Sequence, residues 1–204
     1  MNTALEELAI TASTCTRCRL SSGRTKVVFA DGSPDADLMF VGEGPGYHED
    51  QQGIPFVGAA GQLLNTLLGE IGLSREEVRI TNTVLCRPPG NRDPLPDELE
   101  SCRPYLTRQV ELVDPRVIVT LGNFATRIIL DRPVAISKVR GQIYPWNGRV
   151  VIPTFHPAAV LRGGGAASRT MQQVREDFAT IRATLDESRD SGAAAVPEEQ
   201  LGLF

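Results

Sequence analysis

Four short apolar runs, rich in β-branched residues, most constrain what this 204-residue chain can fold into. Turn-forming residues bound each run, and segments with a helical spacing of apolar residues separate the runs. Such alternation is typical of an α/β protein whose parallel strands are joined by helices. The predicted strands are residues 37–41, 78–84, 116–121 and 149–155, and the predicted helices are residues 61–71, 96–113, 123–130 and 170–185.

The net negative charge of the chain comes from its last 19 residues, 186–204. There are 25 acidic and 21 basic residues in all; five of the acids and one of the bases lie in residues 186–204, which leaves 20 of each in residues 1–185. A neutral body permits a local basic surface for nucleic acid but does not demonstrate one. We therefore predict a single folded domain, residues 1–186, followed by a disordered acidic tail, residues 187–204. No apolar run is long enough to span a membrane and no signal-peptide pattern is seen, so we expect a cytoplasmic protein.

Unusual polar and small residues lie near the carboxyl end of each predicted strand. Glu43, Asn82, Gly122 and His156 all lie at or just beyond a carboxyl end, the edge at which open α/β sheets bind ligands. Loops of this kind are often polar, so one such residue would mean little. Four of them together indicate a site.

The first of these loops is Gly42-Glu43-Gly44-Pro45-Gly46. Its three glycines let the backbone approach a ligand closely, and amides in such a loop can hold an oxygen or a phosphate. It does not match the dinucleotide-binding fingerprint, whose third glycine would fall at Tyr47. A plain turn remains the alternative for this loop taken alone.

The cysteines form a C-x2-C pair, a long gap and a C-x15-C pair, at Cys15, Cys18, Cys86 and Cys102. A disulfide framework is not expected in a cytosolic protein, so the pattern favours a metal or cluster site over four unrelated buried thiols. Four thiolates suit either tetrahedral zinc or an iron–sulfur cluster, and spacing does not separate the two. A zinc ribbon would more usually repeat the close pair.

Several motifs together give the chain a close resemblance to a known family. They are the four cysteines, Gly-Arg-Thr at 23–25, Val-Gly-Glu-Gly-Pro-Gly at 41–46, Gly-Ile-Pro-Phe-Val-Gly at 53–58, Ile-Thr-Asn at 80–82, Cys-Arg-Pro-Pro at 86–89 and Phe-His-Pro at 155–157. From about residue 15 to residue 185 the chain resembles the family 4 uracil-DNA glycosylases, bacterial and archaeal repair enzymes. The resemblance implies a three-layer α/β fold with a central four-stranded parallel sheet flanked by helices, and a 4Fe–4S cluster on the four cysteines.

The resemblance also implies roles for the residues of the two loops. Uracil must be flipped out of the DNA, and its bond to the sugar then breaks through a cationic sugar and an anionic base. Glu43 takes the place of the carboxylate that stabilises the sugar cation and orients or deprotonates water. His156 takes the place of the donor to the uracil carbonyl oxygen.

Other residues are predicted to bind the base. The amide of Asn82 supplies one acceptor and one donor for the edge of uracil, and Phe56 supplies a ring that stacks on it. By the resemblance, Glu49 lies where the methyl group of thymine would have to fit. Gly42 and Gly44 complete the predicted substrate-binding residues.

The segment after His156 is predicted to contact DNA. In related glycosylases this loop inserts an apolar side chain into the space that the base leaves, for which Val160 and Leu161 are the candidates. Arg162 is a candidate contact to a phosphate, and Arg140 is a second.

The last residues resemble the short peptides by which bacterial repair and replication proteins bind the sliding clamp. Gln200 would form hydrogen bonds, while Leu201, Leu203 and Phe204 would fill apolar pockets. A chance match, or a strand that packs back on the body, is the alternative. We expect the protein itself to be a monomer.

Three other functions stay open on the sequence. An enzyme of this fold could act on another deaminated base, such as hypoxanthine. A cluster-bearing protein could bind DNA without catalysis. A zinc protein of unrelated function could carry the same four cysteines.

Overall fold

The structure, a computed structural model, describes residues 3–190. The predicted clamp-binding residues, Gln200, Leu201, Leu203 and Phe204, lie outside this range. The strands are β1 (Asp31–Gly32), β2 (Leu38–Gly42), β3 (Arg79–Asn82), β4 (Val117–Leu121), β5 (Tyr144–Trp146) and β6 (Arg149–Thr154). The helices are α1 (Thr3–Ser13), α2 (Tyr47–Gln52), α3 (Ala59–Glu70), α4 (Pro96–Val113), α5 (Gly122–Leu130), α6 (Ile136–Val139), α7 (Pro157–Arg162) and α8 (Arg169–Asp190).

The strands form one sheet in the order β1-β3-β2-β4-β6-β5. The four central strands are the four predicted ones, and they pair in parallel. The edge strands β1 and β5 pair antiparallel with β3 and β6. The predicted α/β class is confirmed, but the sheet is mixed and has six strands instead of four.

Successive residues of a strand point to opposite faces of the sheet. The buried side chains therefore form two apolar layers, one on each face. Phe40 belongs to the layer under α3 and α8, and its ring stacks on that of Phe178 with centroids 5.9 Å apart. Met39 and Val41 belong to the layer under α4 and α5. The sheet is therefore covered on both faces, which is the predicted three-layer arrangement.

Helix α8 continues beyond the predicted end of the domain. It runs to Asp190, so the first four residues of the predicted disordered tail are helical. Arg189 forms an ion pair with Asp37, and Arg116 donates to the carbonyl of Ser188, which fixes this last turn on the sheet. Among residues 3–190, no helix is both long and apolar enough to cross a membrane.

Candidate active site

A cleft of about 460 Å³ lies at the carboxyl ends of the parallel strands. Its volume is in the range of small-molecule sites. The predicted residues that line it together are Glu43, Gly44, Glu49, Phe56, Asn82 and His156. The structure therefore brings the side chains predicted from separate loops to one place.

Glu43 is the first residue beyond β2, and its backbone is fixed by the chain that follows β3. Its carbonyl accepts hydrogen bonds from the hydroxyl of Thr83, at 2.5 Å, and from the backbone N–H of Val84, at 3.2 Å. Burial raises the pKa of the Glu43 carboxyl, the charge of Asp93 raises it further, and Arg162 opposes the rise. A carboxylate in such a place can accept a proton more readily than an exposed one.

Asn82 ends β3 and is 1% exposed. Its buried Oδ1 has no hydrogen-bond partner within residues 3–190. A Cβ on Gly42 would lie 2.4 Å from that oxygen and 2.6 Å from Cζ of Phe56, so only glycine leaves room for both side chains. An unpaired buried acceptor is costly, and its presence beside an open cleft points to a ligand that donates to it.

The aromatic ring of Phe56 is held by a strained backbone. Phe56 has a φ of 54°, in the left-handed region that favours glycine. The guanidinium of Arg75 binds the carbonyls of Pro55 and Phe56, and a Cβ on Gly61 would lie 1.7 Å from the carbonyl oxygen of Phe56. These contacts fix the ring against His156, with ring centroids 5.6 Å apart and planes at 29°.

His156 precedes the first turn of α7, and its Nδ1 accepts a hydrogen bond from the backbone N–H of Ala158 at 3.1 Å. Burial lowers the pKa of His156 to about 4, and the charge of Arg162 acts in the same direction, whereas Glu49 opposes it. The imidazole is therefore neutral at neutral pH, with its proton on Nε2. Gly122 has a φ of +87°, and a Cβ there would lie 3.1 Å from Cβ of His156.

Glu49 lies in the first turn of α2, and two backbone N–H groups bind its carboxylate. One of its oxygens, Oε1, accepts the backbone N–H groups of Val57 and Gly58 at 3.0 Å and 2.9 Å. These amides precede α3, where the helix dipole favours a negative charge. The side chain is thereby fixed at one side of the cleft.

The Pro-rich segment before α4, residues 87–95, forms one wall of the cleft. Arg92 and Asp93 lie on this wall. Arg92 pairs with the fully buried carboxylate of Glu98, which also accepts the backbone N–H of Leu95. Nothing in the sequence marks Asp93 as a neighbour of Glu43.

The prediction that Val160 inserts into DNA is wrong. Val160 is 0% exposed and packs in the apolar layer with α3 and α8. Because consecutive residues of a helix are about 100° apart, its neighbour Leu161 points outward and is 42% exposed. Arg162 is exposed and lines the cleft.

The prediction that Arg140 binds a phosphate is also contradicted. Its guanidinium forms two hydrogen bonds with Asp177, at 2.5 Å and 3.1 Å, and Asp177 is 1% exposed. The same carboxylate accepts the hydroxyl of Thr154 at 2.6 Å. Arg140 thus neutralises a buried charge that holds the end of β6, two residues before His156.

The four cysteines line one small cavity, together with Tyr105. Leu85 N–H donates to Sγ of Cys102, and Nη1 of Arg24 donates to Sγ of Cys86, both at 3.4 Å. Burial raises the pKa of the Cys86 thiol, and it raises that of Cys102 to about 12. Burial thus favours the neutral thiol form of both cysteines. Across residues 3–190, no group of three or more Cys, His, Asp or Glu side chains is placed to hold a single metal ion.

A family model described as the uracil DNA glycosylase superfamily matches residues 29–179. This stretch contains all six strands and every side chain described at the cleft. The fold and the cleft therefore define a protein of the uracil-DNA glycosylase superfamily.

Similarity to individual relatives places the chain more closely within this superfamily. A type-4 uracil-DNA glycosylase of Sulfurisphaera tokodaii is 45% identical over 188 residues, 88% of this chain and 84% of that protein. A type-4 enzyme of Saccharolobus solfataricus is 45% identical over 84% of this chain and 82% of its own length. One of Thermotoga maritima is 51% identical over 72% of this chain and 78% of its own length. Within the superfamily, this chain belongs to the type-4 uracil-DNA glycosylases.

Proposed function

We propose that this protein hydrolyses the N-glycosidic bond of deoxyuridine in DNA, which releases uracil and leaves an abasic site for base excision repair. The observation that carries the proposal is the buried, unpaired Oδ1 of Asn82 at the cleft. Uracil presents an N3–H donor beside the O4 acceptor, and one amide can bind both. Cytosine presents the opposite pattern, so its binding would leave buried groups unpaired.

The base reaches the cleft only when it leaves the DNA stack, since the cleft is far too small for a duplex. Phe56 offers a ring on which a flipped base can stack, worth roughly 1–3 kcal/mol. Glu49 is fixed by the Val57 and Gly58 amides, so its side chain cannot easily turn away from a thymine methyl group. Size and hydrogen bonding therefore both favour uracil.

Cleavage of the glycosidic bond separates charge between the sugar and the base. Glu43 and His156 are proposed to stabilise these two charges. As the bond breaks, positive charge develops on the sugar and negative charge on uracil. The carboxylate of Glu43 stabilises the sugar and accepts a proton from the attacking water. The neutral Nε2–H of His156 donates to the O2 atom of the leaving base. As the bond between the sugar and N1 of uracil breaks, water adds its oxygen to the sugar carbon and gives one proton to Glu43. Glu43 then returns this proton to solvent, and the released uracil anion takes up one proton, so that the products are a hydroxyl on the abasic sugar and neutral uracil.

We also propose that Cys15, Cys18, Cys86 and Cys102 hold a 4Fe–4S cluster. Such a cluster takes one thiolate per iron, which suits four cysteines that line one cavity without three of them meeting at a single ion. When bound, it would supply a structural cross-link between the N-terminal segment, the chain after β3, and α4. The direct hydrogen bonds to Sγ of Cys86 and Cys102 are consistent with thiolate ligands.

Leu161 and Arg162 are the proposed contacts to DNA beside the cleft. Leu161 is an exposed apolar side chain on the helix that begins after His156, as an inserting residue must be. Arg162 adds a positive charge at the edge of the same cleft. The protein itself is proposed to be a monomer that acts on DNA in the cytoplasm.

The terminal peptide, residues 200–204, is proposed to bind the bacterial sliding clamp. Support comes from its sequence, in which Gln200 precedes the apolar Leu201, Leu203 and Phe204 after an acidic, Ala-rich stretch. Deletion of residues 200–204 should abolish binding to the clamp and leave uracil release from short duplexes unchanged. Unchanged clamp affinity after the deletion would contradict this part of the proposal.

Uracil release from an oligonucleotide with a single lesion tests the main proposal. The purified protein is incubated with single- and double-stranded DNA that carries uracil, hypoxanthine or thymine at one position. The free base is identified by mass spectrometry, and abasic sites are scored by alkaline cleavage. We expect free uracil from the uracil substrates, released much more slowly by the Glu43→Gln and His156→Ala variants than by wild type.

The same experiment separates the competing functions. Release of hypoxanthine instead of uracil would identify an enzyme of the same fold with another substrate. Binding of DNA without release of any base would identify a binding module. Metal analysis and the visible spectrum of fresh protein separate a brown iron–sulfur protein from a colourless zinc protein.

A further inference from the structure

Arg24, in the Gly-Arg-Thr motif at 23–25, has no role in the reaction described above, yet it makes specific contacts at the cysteine cavity. Its Nη1 donates to the carbonyl of Cys15 at 2.6 Å and to Sγ of Cys86 at 3.4 Å. Its Nη2 donates to the carbonyl of Ser13 at 3.4 Å. One half-buried guanidinium therefore joins the N-terminal cysteine pair to the cysteine that follows β3.

The sulfur atoms of the cavity receive different donors. Sγ of Cys102 accepts a neutral backbone N–H, from Leu85. Sγ of Cys86 accepts a charged donor, and Cys86 is buried, so little water screens the two. A charged donor in such a place stabilises negative charge on the sulfur more strongly than a neutral one.

We propose that Arg24 is a positioning residue of the four-cysteine site, which clamps Cys15 to Cys86 and stabilises the more negative, reduced state of the bound iron–sulfur group. The inference rests on the proposed 4Fe–4S cluster. One-electron reduction by an external reductant adds one negative charge to the cluster and its thiolates. Because the guanidinium donates to one of those thiolates, it favours the reduced state and raises the midpoint potential.

The clamp has a second consequence, which is retention of iron. Cys15 and Cys18 lie on a segment between α1 and a short turn at Arg19–Ser22, and Arg24 holds that segment by the Ser13 and Cys15 carbonyls. Loss of these bonds lets the N-terminal pair separate from Cys86 more often. Iron should then be released faster to a chelator.

Arg24→Gln and Arg24→Lys test the proposal in the intact protein, purified without oxygen. Arg19→Gln is the matched control, because Arg19 lies beside Cys18 and carries the same charge, yet it pairs with the exposed Asp97. Iron and sulfide content, the rate of iron loss to a chelator and the midpoint potential in a dithionite titration are measured for each variant.

We expect Arg24→Gln to lose iron about tenfold faster than wild type and to have a lower midpoint potential. Arg24→Lys keeps the charge but lacks the forked guanidinium that reaches two carbonyls and a sulfur. Its rate of iron loss and its midpoint potential should therefore lie between those of wild type and Arg24→Gln. Arg19→Gln should match wild type in both measurements.

Equal potentials and equal rates of iron loss in wild type and Arg24→Gln would overturn the role of Arg24 while leaving the proposed function intact. If Arg24→Gln retains no iron, the measurements are made on Arg24→Lys instead. A wild-type rate of iron loss and a wild-type midpoint potential in that variant would overturn the role of Arg24. A wild-type protein that contains zinc or no metal would overturn the cofactor and the role of Arg24 together, whereas uracil release is measured separately.

Discussion

The imidazole of His156 accepts a hydrogen bond at Nδ1 from the backbone N–H of Ala158, over 3.1 Å. This bond leaves the ring proton on Nε2, and burial keeps the pKa of the ring at about 4. His156 is therefore neutral at neutral pH, and in the proposed mechanism it acts as a neutral donor. A neutral donor does not attract an anion as strongly as imidazolium, but it needs no proton from solution before each turnover.

The pH dependence of cleavage should reveal which side chain titrates. In the proposed mechanism Glu43 acts as a carboxylate, and burial and the charge of Asp93 raise its pKa above 4.5. The single-turnover rate should therefore fall as the pH falls through that raised pKa, as one proton is taken up. His156, neutral above about pH 4, should cause no change near its ordinary value of about 6.5. Glu43→Gln should be slow and should lose the acid limb. A limb near pH 6.5 that disappears in His156→Gln would show that the histidine is charged instead.

Removal of the His156 ring should slow the chemical step more than it weakens binding. His156→Ala removes one donor to the developing uracil anion, which should lower the single-turnover rate by about 10²–10³-fold. The affinity for DNA that carries a non-cleavable uracil nucleotide should change little. The only other histidine, His48, is exposed, so His48→Ala should leave both quantities unchanged. An equal loss of affinity and rate in His156→Ala would assign the histidine to binding.

Gly42→Ala should disable the site without unfolding the protein. The added Cβ would lie 2.4 Å from Oδ1 of Asn82 and 2.6 Å from Cζ of Phe56, so one of these side chains must move. A displacement of this size should cost about 10²-fold in rate. Gly69→Ala is the comparison, because a Cβ on Gly69 meets nothing within 4 Å. Single-turnover rates and thermal melting of both variants check the prediction, which fails if Gly42→Ala cleaves at the wild-type rate.

Glu49 should control the rejection of thymine. Glu49→Ala removes the side chain held by the Val57 and Gly58 amides and opens space at one side of the cleft. Release of thymine from a G·T mismatch should rise relative to release of uracil from a G·U mismatch. Glu49→Gln keeps the size of the side chain and should still reject thymine. If both variants reject thymine as well as wild type does, another residue excludes the methyl group.

Regular apolar spacing was enough to predict the frame of the molecule. The four central strands and α4 appear where the pattern placed them, because periodic burial leaves a direct trace in the sequence. The edge strands β1 and β5 were missed, since two or three residues carry no such pattern. The contacts of Phe56 were equally hidden: its left-handed backbone depends on Arg75, which approaches only in the folded chain.

The predictions that Val160 and Arg140 contact DNA failed for the same reason, which is that each depends on packing in the folded chain. Whether Val160 or Leu161 faces the core is decided by the rotation of α7 against α3, which a pair of adjacent apolar residues does not reveal. The partner of Arg140 lies 37 residues away, on α8. A sequence shows that an arginine is present, and only the fold shows whether a buried carboxylate already binds it.

Arg140 and Arg162 should therefore respond oppositely to the same change. Arg140→Ala leaves the buried Asp177 without its cation, which should lower the free energy of unfolding by about 3–5 kcal/mol. Arg162→Ala should leave stability unchanged, because its side chain is exposed. It should instead weaken DNA binding and reduce the slope of log K against log salt by about 1, as expected for the loss of one phosphate contact. Urea unfolding and salt titrations of binding to a non-cleavable substrate measure the two effects. A wild-type salt slope in Arg162→Ala would remove it from the DNA interface, and wild-type stability in Arg140→Ala would mean that Asp177 does not depend on its ion pair.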